Sequence, residues 1–234
     1  EERFNREARV LARLSHANIV AIFDYGTAGP YCYLLMELVD GVNLRQAMQA
    51  GRFTPAESLT MVEDICAALK FAHEEGILHR DIKPHNLFLV GDEPFFIKVF
   101  DFGIAKAADS DHRTETGVVK GKLSYMSPEQ LGGDNLDGRS DQFSLGIVFW
   151  ELCTRSRMFK DAQNPQIIQR ILHGVMDAPS TVEEEIPNEL EKIIMRMLSA
   201  NKDKRFSALE ELAQALEGYL AGSNQPTTSV DVAQ

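Results

Sequence analysis

Long apolar runs, plentiful cysteine and an excess of positive charge are all missing from this 234-residue chain. No uninterrupted apolar stretch approaches the roughly 18 residues needed to span a bilayer, and no charged-then-apolar leader opens the sequence. The three cysteines, Cys32, Cys66 and Cys153, are odd in number, far apart and each set in an apolar stretch. They read as buried thiols of a reducing compartment, which excludes a disulfide framework and predicts a cytoplasmic location. Lys and Arg number 24 against 35 Asp and Glu, a net charge of −11. A surface that acidic repels phosphate backbones and anionic lipid, so nucleic-acid binding and membrane contact are not expected. With 44% hydrophobic and 25% charged residues, disorder is excluded for the bulk of the chain.

Two local absences matter more. No glycine precedes Gly26 and no lysine precedes Lys70. The chain opens on Glu1-Glu2-Arg3-Phe4, as if inside a helix, and closes on a polar stretch over 221–234 that reads as a tail or linker. Both ends suggest a segment cut from something longer.

What is present is strongly patterned. Phe4, Val10, Leu11 and Leu14 fall at helical spacing among charged residues and predict an amphipathic helix. Ile19–Phe23 and Tyr31–Leu38, around Gly26-Thr27-Ala28-Gly29-Pro30, read as a hairpin. Thr54-Pro55-Ala56-Glu57 is a capping box with proline at the first helical position; an apolar stripe from Leu59 to Ala72 follows, and Gly76 is placed to end the helix. Short strands are predicted at Leu87–Val90 and Phe96–Phe100. Ser140–Thr154 is apolar on nearly all sides, the mark of a central helix. Further helices are expected near Pro165–Gly174, Pro187–Leu198 and Ser207–Leu220, the last opened by a second capping box, Ser207-Ala208-Leu209-Glu210.

The informative motifs are His79-Arg80-Asp81-Ile82-Lys83-Pro84-His85-Asn86, then Asp101-Phe102-Gly103, then Ser127-Pro128-Glu129. In this order and at these separations, from about residue 4 to 218, the chain resembles the eukaryotic-type protein kinase family. The resemblance implies an α+β, bilobal fold. It is mainly the helical lobe (44–220), with a partial small lobe of one helix and the last strands (1–38), a hinge at 39–43 and the tail at 221–234. It implies transfer of the ATP γ-phosphate to protein hydroxyls, a reaction governed by positioning and charge neutralisation. Asp81 would take the acceptor's proton, and Lys83 would neutralise charge on the migrating group. Asn86 and Asp101 would hold Mg²⁺ through hard oxygen ligands.

Further positions follow by resemblance. Glu7 corresponds to the helix glutamate that pairs with a strand lysine. Met36, Glu37 and Val39 line the adenine side, with Phe88 as its floor. Arg80 marks control by phosphorylation of the activation segment, for which Thr114 and Thr116 are the candidate acceptors. Glu129 with Arg205, and Asp141, are structural. Lys83 after Asp81-Ile82 is the serine/threonine pattern, and Met126-Ser127-Pro128-Glu129-Gln130 resembles bacterial members. The implied partner is a protein substrate with a Ser or Thr acceptor, and a homodimer phosphorylating itself in trans remains open. Lys122 stands where the family usually has a threonine, a contact that Ser124 is placed to replace. The glycine-rich phosphate loop and strand lysine are not found, so the segment alone is expected to be inactive. A pseudokinase module and a small-molecule kinase of the same fold are the alternatives.

Overall fold

The structure, a computed structural model, describes residues 2–51, 53–91, 95–102 and 120–223, without the side chains of residues 2, 3, 5–7, 120, 121 and 223. It begins with helix α1 (Glu2–Leu11) and a hairpin of β1 (Ile22–Ala28) and β2 (Tyr31–Met36). A three-stranded antiparallel sheet joins β3 (Gly41–Asn43), β4 (Leu87–Val90) and β5 (Phe96–Val99), in that spatial order. Between β3 and β4 run α2 (Leu44–Ala50) and α3 (Pro55–Glu74). The remainder is helical: α4 (Lys120–Leu123), α5 (Pro128–Gly132), α6 (Gly138–Thr154), α7 (Asn164–His173), α8 (Asn188–Met197) and α9 (Leu209–Ser223).

Helix α6 is the axis of the core. Phe143, Leu145, Ile147, Val148 and Phe149 are fully buried, and α3, α8 and α9 pack around the helix. The predicted box at the start of α3 forms: Glu57 N–H donates to Thr54 Oγ1 at 3.2 Å, and Thr54 N–H donates to Glu57 Oε2 at 2.6 Å. With Pro55 carrying no N–H, two of the three N–H groups left over at the helix start are thereby satisfied. Beyond the end of α1, Leu14, Ile19 and Val20 are buried, and Val99 pairs with both Asn18 and Val20 (2.8 and 3.0 Å). The hairpin side is thus stitched to β5.

Several expectations are corrected. Strand β1 begins three residues later than predicted and runs through Gly26-Thr27-Ala28, so the turn is only Gly29-Pro30. Gly29 sits at φ +63°, the conformation a two-residue turn of this hand needs at its first position and one that glycine adopts without penalty. Val10 lies off the buried side of α1, at 38% exposure; Ala8 and Leu11 hold that side. Cys32 is exposed because it lies on the open hairpin, and Cys153 is half-buried; Cys66 alone is fully enclosed, and burial lifts its thiol to about 12. The box at Ser207-Glu210 does not form as written. Glu211 instead accepts from Ser207 N–H (2.7 Å) and hydroxyl (2.8 Å), while Glu210 pairs with Lys70 of α3. A cross-helix cation outbids the local cap.

Candidate active site

Asp141, one turn into α6 and 1% exposed, organises the loop that carries Asp81. Its Oδ2 accepts from the His79 backbone N–H at 2.8 Å and its Oδ1 from that of Arg80 at 2.7 Å; His73 Nε2 approaches Oδ2 at 2.8 Å. Burial pushes the Asp141 carboxyl up, but His73, His79 and the Arg80 N–H outweigh it and hold it below the usual carboxylate range. Close approach here depends on Gly138: a Cβ at that position would lie 2.6 Å from His73 Nδ1.

His79 joins two loops. Its Nδ1 accepts from Asp81 N–H at 3.2 Å, so the ring proton sits on Nε2, which donates to the Phe100 carbonyl at 3.0 Å. The bond from Asp81 N–H requires the neutral ring, and burial lowers the pKa of the imidazole to match. Phe100 N–H in turn donates to the Asn86 carbonyl at 2.8 Å, and Phe102 packs its ring 4.6 Å from that of His79. The Asp81 and Asp101 loops therefore move as one unit. Arg80 and Asp101 both adopt left-handed backbone, φ +64° and +63°. Such strain costs about 1–3 kcal/mol per residue and persists only where surrounding bonds over-determine it.

Asp81, Lys83 and Asn86 converge. Lys83 Nζ donates to Asp81 Oδ2 at 2.7 Å, and Asn86 Nδ2 donates to the Asp81 carbonyl (2.9 Å) and Oδ2 (3.3 Å). With both amide protons committed, Oδ1 is the Asn86 atom left to ligate a cation. Asp101 follows Phe100 directly and is exposed, lining a cavity with Leu34, Met36 and Phe102. An anionic oxygen from Asp101 and a neutral one from Asn86 are ligand types that suit Mg²⁺, which keeps few protein ligands and completes its shell from phosphates and water.

On the hairpin side, Met36 ends β2, Glu37 and Val39 are half-buried, and Phe88 meets Phe100 edge-on at 5.8 Å. The Glu37 side chain has partners of its own. Its carboxylate takes Lys98 Nζ at 2.7 Å and Ala21 N–H at 3.2 Å, and the Lys98 bond chiefly holds its pKa below the usual range. Glu129 of α5 is paired with the distant Arg205, both of them buried. Arg205 and Glu129 form a two-point pair (2.7 and 2.9 Å) that also takes the Ser140 hydroxyl at 2.7 Å. The remaining Arg205 donors reach the Ser199, Arg139 and Ala200 carbonyls. Sequence reasoning missed Gln130, which caps α5 through Ser127 and also donates to the Arg80 carbonyl at 2.9 Å. The Ser127-to-Gln130 spacing was the available signal. Glu7 belongs to α1, but its side chain lies outside the described residues, as do Thr114 and Thr116.

Residues 1–216 match the family described as the protein kinase domain. The chain is 38% identical to the serine/threonine-protein kinase PknB of Mycobacterium leprae over 216 residues, covering 90% of this chain and 34% of that protein. It is 38% identical to a probable serine/threonine-protein kinase of Clostridium acetobutylicum, over 99% of this chain and 36% of that protein. Against serine/threonine-protein kinase Pkn1 of Myxococcus xanthus the identity is 37%, over 94% and 32%. The chain thus spans about a third of the length of these curated relatives.

Proposed function

Because this chain belongs to the protein kinase domain family, we propose that it carries the catalytic loop of a protein kinase that transfers the ATP γ-phosphate to Ser or Thr hydroxyls of proteins. The observation that carries the reading is the convergence of Lys83 and Asn86 on Asp81, tied through His79 and Phe100 to Asp101. Asp81 accepts the proton of the acceptor hydroxyl late in transfer. Lys83, already paired to Asp81, turns to the transferring phosphoryl oxygens. Asn86 Oδ1 and the Asp101 carboxylate would hold Mg²⁺, which when bound neutralises phosphate charge. Asp141 acts at one remove, fixing the backbone from which Asp81 projects. The lobes at 1–38 and 44–220, with the hinge at 39–43, and the adenine contacts at Met36, Glu37, Val39 and Phe88 complete the reading.

The test is Asp81→Asn in the whole protein. The expected result is a fall in kcat of at least about 100-fold, the scale of a positioned base, with ATP affinity nearly unchanged. Turnover near the unsubstituted level would overturn the assignment. Asp101→Ala should abolish Mg·ATP-dependent transfer while circular dichroism stays native.

A further inference from the structure

A cavity of about 290 Å³ opens between α2, the end of α6 and the loop after it, and the reading above gives it no role. At about 30 Å³ per water, it has room for a side chain with several waters. Its wall carries four cations, Arg45, Arg155, Arg157 and Lys160, against one anion, Glu151. Glu151 is already committed. Its Oε2 accepts from Arg45 Nη2 at 2.7 Å and from the Tyr125 hydroxyl at 2.8 Å, and its Oε1 from Met158 N–H at 3.4 Å. Arg155 reaches Glu183 only at 3.9 Å, with both side chains largely exposed. Arg157 and Lys160 have no ion pair among the described residues. Arg45 is 7% exposed, yet its Nε has no hydrogen-bond partner there, an unusual state for a buried donor. Met48 and Phe53 add apolar wall.

The cavity also neighbours the catalytic loop. Helix α2, which carries Arg45, packs against the Pro84–Asn86 turn that follows Lys83. Tyr125, which joins the Arg45–Glu151 pair, lies four residues before Glu129. Concentrated positive charge in a chain of net charge −11 is local by construction. Long anions such as nucleic acid meet the overall repulsion, whereas a single anionic side chain feels the cations within the roughly 8–10 Å screening length.

We propose that this cavity is an anion site for the protein substrate, receiving a carboxylate or phosphate borne by a residue near the acceptor Ser or Thr. The inference rests on the kinase reading for its placement beside the acceptor, and the following experiment separates the two. Fluorescent serine peptides, identical except for one flanking residue (Asp, phosphoserine, Ala or Arg, moved through the flanking positions), are titrated by anisotropy against the full chain at physiological salt. At one or more positions, the Asp or phosphoserine peptide should bind about 10-fold tighter than the alanine peptide, the scale of one charge-assisted contact, and the arginine peptide weaker. Arg157→Ala with Lys160→Ala, both exposed and remote from the core, should erase that preference and leave the thermal melt unchanged. A preference confined to phosphoserine assigns the site to phosphate; equal preference for both anions assigns it to charge alone. Equal binding of acidic and alanine peptides at every position, or a preference untouched by the double substitution, would overturn the proposal. Transfer of γ-phosphate to the same peptides is read separately in the whole protein. Its absence would sink the kinase reading without touching the binding preference.

Discussion

Around α6, the charges nearest the catalytic loop are buried and multiply bonded, whereas the β1–β2 hairpin turns Phe23, Tyr31 and Leu35 to solvent, at 67, 75 and 56% exposure, and Leu38 just beyond it is 94% exposed. Asp141, His79, Glu129 and Arg205 are held by bonds drawn from several elements at once. Among the described residues, the hairpin side is joined to β5 through the backbone bonds of Asn18 and Val20 with Val99 and through the Glu37–Lys98 ion pair, and to α1 through Arg9 Nε, which donates to the Tyr25 hydroxyl at 3.3 Å. The difference locates rigidity where the chemistry needs a fixed carboxylate. It leaves the hairpin side free to shift relative to it, as expected where local stability follows the density of buried contacts.

The largest test of that contrast is Arg205→Ala. Glu129 would remain at 5% exposure without its cation, and breaking a buried pair on one side costs about 3–5 kcal/mol. Burial pushes the Glu129 carboxyl up, and Arg205 chiefly, with Ser140 and a backbone N–H, holds it low. Urea unfolding should therefore show a stability loss of that size; a loss below about 1 kcal/mol would mean that the helical side is not locked by this pair.

Asp141→Asn comes next. An amide keeps one accepting oxygen but turns an NH₂ toward the His79 or Arg80 N–H, stranding a buried donor at a cost of about 1–3 kcal/mol. In the whole protein the kcat should fall while peptide KM changes little, because the Asp81 loop loses its anchor and the substrate surface does not. A rise in KM with kcat intact would place Asp141 in substrate binding instead.

Legibility from the sequence divides along the same line as the comparison. Asp81, Lys83, Asn86 and Asp101 lie within two short motifs, and the box at Thr54 and Glu57 spans one helical turn; short-range spacing carries such information. The Arg45–Glu151–Tyr125 cluster and the Glu37–Lys98 pair join residues far apart in the chain, and nothing local marks them. The Ser207 box failed for a related reason. Glu210 and Glu211 are both candidates by spacing, and only the distant Lys70 decides between them. The exposure of Val10 and Cys32 was equally hidden, because each sits in an apolar stretch whose outward side is set by what packs against it.

Acid titration should probe the enclosed side, where the shifts share one sign. His79 has a pKa lowered in the folded state, so below its ordinary value of about 6.5 the unfolded chain takes up a proton that the folded chain resists. His79 thus makes stability fall as pH drops through that value, and His85, also lowered, adds the same sign. Asp141, held low, contributes stability that is present above about 3.9 and is lost as pH falls through its folded pKa. Melting at pH 7 and pH 5 should show a loss, and His79→Asn should reduce that loss without abolishing it. A slope unchanged by the substitution would mean that the ring is already charged when folded.

The smallest expected effect lies on the hairpin side, at Glu37 and Lys98. Their side chains are 29% and 13% exposed, so solvent screens much of the 2.7 Å attraction. A double-mutant cycle with Glu37→Gln and Lys98→Met should give a coupling of about 0.5–1 kcal/mol, shrinking as salt rises. Glu37 also accepts from Ala21 N–H, a bond that a glutamine oxygen preserves, so the Gln substitution isolates charge from hydrogen bonding. The contrast with Arg205 is then quantitative: two ion pairs of like length should differ several-fold in worth because one is enclosed and the other is not. A coupling above about 2 kcal/mol, insensitive to salt, would show that the hairpin is held as firmly as the helical side, and the division of rigidity drawn above would fail.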